Sequence, residues 1–381
     1  MEKKNEISTI TYRICAISFI CVVLMLTVMH IINRDKEYSD MEKTRLTDVN
    51  NIVDSIKYGS SRVDTVEDYL SDQFPGRDMI VKWNAYIDKA VGKTKFGDVF
   101  LCDNGYMMQD FMEPDPNNID ETCLKIKEFA EKYKDSDFYM MLVPNSVSVY
   151  KEYLPEYAVT GNQDLFIDGV YNSLDGINCL DVRQIFSDNK KNTALYYYTD
   201  HHWTSDAAYL AYGLMREKMG YISEMNYESG VICNTFVGTL AARSGYFPKQ
   251  KDSIKVYRDK NEDKVFYTVS YEDEKKLEGT CYRMDRISGD NPYELFFGGN
   301  HSSIEIKTSA DTNRTLLVIK DSYANCLIPF LINDYSTIKV IDPRYYSEKL
   351  DILMETGSYS DVLFLYNANT FSQDTSLKTT L

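Results

Sequence analysis

The chain has 381 residues, 44% of them hydrophobic and 26% charged, which is enough for one large domain or two modest ones. Its formal net charge of −16 argues against binding to nucleic acid and against docking on an anionic lipid surface. Eight cysteines are present, but their spacing is not typical of a metal site and does not define disulfide pairs.

An apolar run near the N-terminus, Ile14 to Ile32, is long enough to cross a bilayer, which takes roughly 20 residues. Basic residues, the last of them Arg13, precede this run, so the positive-inside rule keeps the N-terminus in the cytoplasm. A cleavable signal peptide is the alternative, although its apolar core would be shorter. We predict that residues 1–34 form a cytoplasmic tail and one transmembrane anchor, with the rest of the chain extracytoplasmic at the cell membrane.

The segments after the anchor differ in polarity. Residues 35–64 are polar and charged, which is typical of a stalk, and we predict that residues 65–381 form the main domain. Apolar residues between Val66 and Val91 recur at helical spacing and predict two short amphipathic helices. Val99 to Met108 reads as a β-hairpin, because its Asn-Gly pair suits a type I′ turn.

Strand and helix patterns then alternate, which favours a mainly parallel sheet with helices on both faces. The predicted strands cover 138–143, 177–182, 315–319, 337–341 and 361–365. The predicted helices cover 121–134, 163–174, 204–219 and 347–356. A mostly β insertion at about 221–310 interrupts this alternation.

Lys320-Asp-Ser322 stands between the predicted strand Thr315–Ile319 and a predicted helix, Tyr323–Ile332, that Pro329 kinks or ends. A serine at such a turn exposes its Oγ beside backbone N–H groups that can receive an oxyanion. The alternative is that Asp321 or Ser322 only caps the helix.

A second polar stretch, Asp200-His-His-Trp203, can supply the base for such a serine. In an extended segment alternate residues share a face, so Asp200 and His202 would point one way and His201 the other. An aspartate that orients a histidine, which in turn deprotonates a serine, is the logic of the catalytic triad. We therefore predict Asp200, His202 and Ser322 as catalytic residues.

Other interpretations of the same residues remain open. The Asp-His-His string could bind a metal, but adjacent histidines rarely share one and no further ligand is evident, so we predict neither metal nor cofactor. Trp203 could pack in the core or contact substrate. The 31 tyrosines could stack on sugar rings, although ordinary half-buried strand positions explain most of them.

Five stretches of the chain resemble the DHHW proteins, which are similar to the SGNH-hydrolase-like proteins that O-acetylate alginate and other exported polysaccharides. They are Phe74–Asp78, Thr199–Thr204, Gly238–Gly245, Val318–Asn325 and Val340–Tyr345. The resemblance extends over roughly residues 60 to 370. It implies a three-layer α/β/α SGNH-hydrolase-like sandwich.

The chain departs from the usual SGNH pattern in order and in detail. The block with Asp200 and His202 precedes Ser322 instead of following it, as a circular permutation would produce. Lys320 stands where Gly-Asp-Ser has its glycine, and no glycine follows the second strand. The resemblance then implies an oxyanion site made by Ser322 N–H and Asn367, with Arg344 or Tyr345 replacing the glycine.

The resemblance implies serine-dependent acyl chemistry, with O-acetyl transfer to or from a cell-envelope or exported polysaccharide favoured over hydrolysis. Both reactions share one acyl-enzyme, so the residues alone do not separate a transferase from an esterase. The partners would be the polysaccharide, the membrane through one helix, and a membrane-bound protein that delivers the acyl group. The alternative is a non-catalytic polysaccharide-binding or assembly component, an interpretation that the Lys320 departure favours.

Overall fold

The computed structural model describes the whole chain except residues 1, 40, 59–61, 223–224, 261–264, 273 and 275. It divides into two compact units, Met1–Lys93 and Thr94–Leu381. The segment 35–64, predicted as a stalk, therefore lies in the first unit together with residues 65–93. The free thiols include those of Cys15, Cys21, Cys123, Cys179, Cys233, Cys281 and Cys326.

The first unit is mainly helical. Its elements are α1 (Glu2–Ile32), β1 (Tyr38–Ser39), β2 (Thr44–Arg45), α2 (Val49–Tyr58), α3 (Arg62–Asp72) and α4 (Arg77–Ala90). Within α1, the 23 residues Ile10–Ile32 are long and apolar enough to cross a membrane. By length, composition and place in the chain, this stretch is compatible with a single-pass anchor or with a signal sequence.

The second unit carries the α/β alternation. Its strands are β3 (Lys95–Phe96), β4 (Val99–Leu101), β5 (Met107–Gln109), β6 (Asp137–Val143), β7 (Asn178–Cys179), β8 (Tyr227–Phe236), β9 (Asp252–Asp259), β10 (Tyr267–Tyr271), β11 (Lys276–Glu278), β12 (Ser303–Thr308), β13 (Thr315–Lys320), β14 (Thr337–Ile341) and β15 (Asp361–Asn367). Its α-helices are α5 (Pro116–Lys132), α6 (Ser146–Val149), α7 (Gln163–Ser173), α8 (Arg183–Asn189), α9 (Ser205–Met219), α10 (Thr239–Ser244), α11 (Leu350–Thr356), α12 (Ala368–Gln373) and α13 (Ser376–Thr380). Short 3₁₀ helices cover Lys151–Tyr153, Met284–Arg286, Pro292–Leu295, Ser322–Cys326 and Ile328–Asn333.

The central sheet has eight strands in the order β11-β10-β12-β14-β13-β15-β6-β7. The five strands from β14 to β7 are parallel, whereas β12, β10 and β11 pair antiparallel. The sheet is therefore mixed rather than mainly parallel, because the predicted insertion contributes the antiparallel strands at one edge. Strands β8 and β9 of the insertion form a separate two-stranded sheet.

Residues that alternate along β13 divide between two hydrophobic clusters, one on each face of the sheet. Leu316 and Val318 join the cluster that includes residues of α9, whereas Leu317 and Ile319 join the cluster that includes residues of α5. All four are fully buried, and each such side chain contributes roughly 1.5–3 kcal/mol of hydrophobic stabilisation. The predicted α/β fold, with helices on both faces of one sheet, is confirmed.

The prediction of one helix over Tyr323–Ile332 is wrong in the kind of helix. The chain forms two 3₁₀ helices, Ser322–Cys326 and Ile328–Asn333, on either side of Leu327. Pro329 explains the break, because it has no N–H to donate and its ring collides with the carbonyl one turn earlier. The turn at Ser322 therefore stays short and leads directly out of the sheet.

The parallel strands bring chemically active residues to one edge of the sheet. Strand β13 ends just before Ser322, β14 just before Asp342, and β15 ends at Asn367. The carboxyl ends of parallel strands share one edge, which is where ligands bind in open α/β sheets.

Candidate active site

The three residues predicted as catalytic form one hydrogen-bonded series. His202 Nε2 lies 2.8 Å from Ser322 Oγ, and His202 Nδ1 lies 2.5 Å from Asp200 Oδ1. With the ring proton on Nδ1 facing the carboxylate, Nε2 can accept the hydroxyl proton of the serine. The fold thus joins side chains that stand more than a hundred residues apart in the sequence.

The prediction that His201 and His202 point in opposite directions is wrong. Residues 199–202 form a tight loop, closed by an antiparallel bridge between Tyr196 and Trp203, and are not an extended strand. The rings of His201 and His202 consequently lie 3.9 Å apart. His202 contacts the serine, whereas His201 Nδ1 pairs with Thr239 Oγ1 at 2.7 Å.

A buried carboxylate holds this loop in place. Asp252 accepts hydrogen bonds from Tyr198 N at 2.6 Å, from Thr199 N at 2.8 Å and from Thr199 Oγ1 at 2.5 Å. Burial raises the pKa of Asp252, although the Thr199 and Tyr198 donors oppose that rise. Asp252 belongs to the insertion, so the insertion fixes the backbone that precedes Asp200.

Both carboxylate oxygens of Asp200 are bonded. Oδ1 accepts from the backbone and the ring of His202, and Oδ2 accepts from Thr239 N at 2.8 Å and Thr239 Oγ1 at 3.0 Å. Burial alone would raise the pKa of Asp200, but the two histidines and the Thr239 donor hold it well below its usual range. Asp200 is therefore an ionised carboxylate in a fixed orientation.

The backbone before Thr239 approaches Asp200 so closely that only glycine fits there. A Cβ on Gly238 would lie 2.2 Å from the Cβ of Asp200, far inside contact distance. Gly238 N also donates to Thr199 Oγ1 at 2.9 Å. Gly238 lies within one of the five stretches that resemble the DHHW proteins, and this close approach gives it a physical role.

An aromatic ring from the insertion covers His202. Tyr293 stacks on His202 with ring centroids 3.8 Å apart and an interplanar angle of 14°. Its hydroxyl donates to the carbonyl of Ser322 at 3.4 Å. Tyr293 is itself buried, so its ring limits rotation of the imidazole from one side.

The turn that carries Ser322 is held by Asp321. Its carboxylate accepts from Tyr323 N at 2.8 Å, as a helix cap does, and from Asn367 N at 2.8 Å and Asn367 Nδ2 at 2.6 Å. Asp321 is therefore the cap, while Ser322 faces His202. Within the part of the chain that the structure describes, no residue accepts a hydrogen bond from Ser322 N–H.

Asn367 is not placed as the sequence predicted. Its Nδ2 group donates to Asp321 Oδ2 at 2.6 Å and to Thr370 Oγ1 at 2.7 Å, so both amide hydrogens are used. Its Oδ1 accepts from Thr370 N and caps α12. In this geometry Asn367 supports the serine turn and has no hydrogen left for an oxyanion.

Lys320 lies in a buried polar network. Its Nζ donates to Asn325 Oδ1 at 2.9 Å, to Asn300 Oδ1 at 3.2 Å and to Asp342 Oδ2 at 3.3 Å. Burial lowers the pKa of Lys320, and the negative charge of Asp342 opposes that change. Lys320, which replaces the usual glycine, thus donates its hydrogen bonds to these three residues and not to Ser322 Oγ.

Arg344 continues the same network toward the surface. Its Nε and Nη2 donate to the two oxygens of Asp342 at 2.8 and 2.7 Å, and its side chain is 27% exposed. Tyr345 follows it and is exposed. Both residues lie just beyond β14, beside the strand that leads to Ser322.

Trp203, predicted as a substrate contact or a core residue, is fully buried. Its Nε1 donates to the carbonyl of Tyr323 at 2.8 Å, and its ring stacks on that of Tyr323 with centroids 5.7 Å apart. Burial leaves no indole surface for a substrate. Trp203 therefore joins the histidine loop to the serine turn from inside the core.

Asp200, His201 and His202 offer one ligand atom each, all within 4.8 Å of one another, and so could be considered as a metal site. The donors are already engaged: Asp200 uses both oxygens, and His202 uses both ring nitrogens. His201 Nδ1 is bonded to Thr239 as well. A metal at this position would have to displace the contact between His202 and Ser322 or that between His202 and Asp200.

Sequence reasoning missed Thr239, Asp252 and Tyr293. All three come from the insertion, for which the sequence pattern predicts no role. Thr239 stands in a stretch that resembles the DHHW proteins, and that was its only signal. Asp252 and Tyr293 carry none, because one is an ordinary acidic residue before a strand and the other is one of 31 tyrosines.

Comparison with known proteins identifies one family model and several solved structures. Residues 108–249 match the model described as the SGNH hydrolase-like domain of the acetyltransferase AlgX. A DHHW family protein from Eubacterium siraeum is 23% identical with a TM-score of 0.63, over 74% of this chain and 93% of that one. Among curated proteins, none matches the chain.

PatB1 from Bacillus cereus has been solved alone and with a sulfonyl adduct. The adduct structure is 18% identical with a TM-score of 0.65, over 75% of this chain and all of that one. The structure of PatB1 alone is 20% identical with a TM-score of 0.62, over 73% and 98% of the two chains. The predicted resemblance is thus confirmed: residues 108–249 match an SGNH hydrolase-like model, and the chain shares its fold with the DHHW family protein and with PatB1.

Proposed function

We propose that this protein is an extracytoplasmic, serine-dependent acyltransferase that moves an O-acetyl group to or from a cell-envelope or exported polysaccharide. The observation that carries the proposal is the series Ser322 Oγ, His202 and Asp200, with contacts of 2.8 and 2.5 Å. The match to the model of an acetyltransferase domain supports the acyl class of the reaction.

In the first half-reaction Ser322 Oγ attacks the acyl carbonyl while its proton passes to His202 Nε2. The carbonyl oxygen becomes an oxyanion, for which Ser322 N–H is the available backbone donor. Asp200 keeps the proton on His202 Nδ1 and stabilises the imidazolium. When the intermediate collapses, the leaving oxygen takes the proton from Nε2, and the acyl group remains on Ser322.

In the second half-reaction a sugar hydroxyl takes the place of the leaving group. His202 Nε2 removes its proton, the hydroxyl oxygen attacks the acyl-serine, and Ser322 recovers its proton as the ester bond breaks. Water in the same position would give hydrolysis. Arg344 and Tyr345, near the site and accessible, are the residues that we propose to contact the polysaccharide, with Arg344 oriented by Asp342.

The proposed location follows from α1 acting as a retained anchor with the basic N-terminus in the cytoplasm. The SGNH-like unit would then face the cell envelope, where exported polysaccharide is present. A membrane-bound acyl-transferring protein would deliver the acyl group from the cytoplasmic side. A reporter fused after Glu42 that is active only in the cytoplasm would contradict this orientation.

Turnover of a chromogenic acetyl ester by the full chain, with an oligosaccharide acceptor present or absent, tests the proposal. We expect the wild type to release the chromophore and Ser322→Ala to release none above background. Faster release with acceptor, together with acetylated sugar, would indicate transfer. Equal release by a folded Ser322→Ala variant would contradict the proposal.

A further inference from the structure

Apart from α1, the most exposed apolar surface among the described helices of the first unit lies along α4. The residues Met79, Ile80, Trp83, Tyr86, Ile87 and Val91 recur at helical spacing and occupy one face of the helix. Met79 is 61% exposed, Trp83 63% and Ile87 56%. The opposite face carries Ala85, which is buried, so the helix turns its apolar side outward.

This arrangement is the reverse of what a water-soluble helix adopts, since an amphipathic helix normally buries its apolar stripe. A contiguous exposed apolar patch marks a surface that contacts a protein or a membrane. At the first position of α4, by contrast, Arg77 faces its own unit, where it pairs with Asp72 at 3.3 Å and also with Glu42.

Hydrogen bonds tie the turn between α3 and α4 to the segment that follows α1. Gln73 Nε2 donates to Lys36 O, and Lys36 N donates to Gln73 Oε1, both at 2.9 Å. Lys36 Nζ also lies 3.5 Å from Asp78 in the first turn of α4. Lys36 stands four residues after Ile32, so the chain places it no more than about 14 Å beyond the apolar stretch.

We propose that α4 lies on the outer surface of the membrane, with the face from Met79 to Val91 inserted at the boundary between headgroups and acyl chains. Tryptophan and tyrosine favour that depth, and one of each lies on this face. The contact is apolar, because the net charge of −16 disfavours attraction to anionic lipids. Thr94, with which the second unit begins, follows Val91 by three residues.

This inference rests on α1 being retained in the membrane. The intact mass of protein extracted from membranes shows whether α1 is still present, and this measurement does not depend on any activity. A mature chain that lacks α1 would overturn it. A failure of the acyl-transfer proposal would leave it untouched, since no catalytic residue takes part.

The two tryptophans of the chain allow a direct test, because Trp203 is fully buried and Trp83 is exposed. The full chain is reconstituted in phosphatidylcholine vesicles whose lipids are brominated near the top or near the end of the acyl chain. We expect bromine near the top to quench the Trp83 fluorescence about twofold, and bromine near the end to quench it less, as for a shallow helix. Trp83→Phe should abolish the quenching.

Two further variants isolate the apolar face. Ile87→Glu should reduce the quenching, whereas Leu124→Glu, which changes a similarly exposed residue on α5, should not. Equal fluorescence in brominated and unbrominated vesicles would overturn the proposal. Blue-shifted Trp83 emission without quenching would mean that this face is covered by protein, and would overturn it as well.

Discussion

Two loops meet at the candidate active site, and they differ in how many of their polar atoms are already bonded. In the loop with Asp200 and His202, both carboxylate oxygens and both ring nitrogens have partners. In the turn with Ser322, the cap Asp321 is fully engaged, while the Ser322 N–H has no acceptor in the described chain. In the proposed mechanism the base is therefore held in place before substrate arrives, whereas Ser322 N–H remains available as a donor.

The largest effect that separates the two histidines is expected from His202→Ala. It removes the proton acceptor of Ser322, so turnover should fall about 10³-fold or more, as for members of a catalytic triad. His201→Ala should cost much less, because His201 contacts Thr239 and not Ser322. We would measure the esterase rates of both variants, with their melting temperatures as the control for folding. Equal losses in two well-folded variants would remove the distinction.

Weakening the hydrogen bonds by which Asp252 holds the loop with Asp200 and His202 should have the next largest effect. Asp252→Asn replaces one acceptor oxygen by an N–H₂ group that faces a backbone or hydroxyl donor, so the loop should shift. A displacement of about 1 Å can lower the rate by about 10²-fold. We therefore expect kcat to fall by up to about 10²-fold while KM changes little. Asp206→Asn, at the start of α9, is the matched control. A change in KM alone would mean that Asp252 positions substrate and not the base.

The charged network beside the serine turn should affect stability more than chemistry. Lys320→Met leaves Asp342 buried with Arg344 as its remaining cationic partner, so the loss of unfolding free energy should be smaller than the about 3–5 kcal/mol of a buried charge left without any partner. Because Lys320 donates away from Ser322 Oγ, kcat of the folded fraction should stay within a few-fold of wild type. Denaturant unfolding and esterase assays of the same sample measure both. A 10³-fold loss of kcat in folded protein would give Lys320 a role in the reaction.

Removal of metal ions should have the smallest effect. The atoms of Asp200 and His202 that could bind a metal are used within the series that ends at Ser322, so dialysis against EDTA should leave the esterase rate unchanged. Loss of activity on chelation, restored by added zinc, would show that the base loop works as a metal site.

The parallel core could be predicted from local pattern, and the insertion could not. Thr337–Ile341 matches β14 residue for residue, because a short apolar run bounded by turn residues specifies a buried strand. Ser322 and His202 could be found because few histidines were available and the serine followed a strand. Their partners Asp252 and Tyr293 depend on long-range packing of the insertion, which no local spacing encodes.

Two errors have physical causes of the same kind. Asn367 was expected to donate to an oxyanion, yet Asp321 and Thr370 use its amide hydrogens, a competition that only the assembled sheet edge creates. His201 was expected to point away from His202, but the bridge between Tyr196 and Trp203 folds the segment into a loop. In both cases the residue type correctly indicated a place in or near the site, but the local sequence did not predict the conformation of the segment.

Covalent trapping of Ser322 tests the central claim most directly. The full chain is treated with a sulfonyl fluoride, and adducts are located by intact and peptide mass spectrometry. We predict one adduct per chain on the peptide that contains Ser322, no adduct in Ser322→Ala, and a strongly slowed reaction in His202→Ala because the base is missing. Folded wild-type protein that stays unmodified at Ser322, or a Ser322→Ala variant that is modified equally, would contradict a nucleophilic serine at this site.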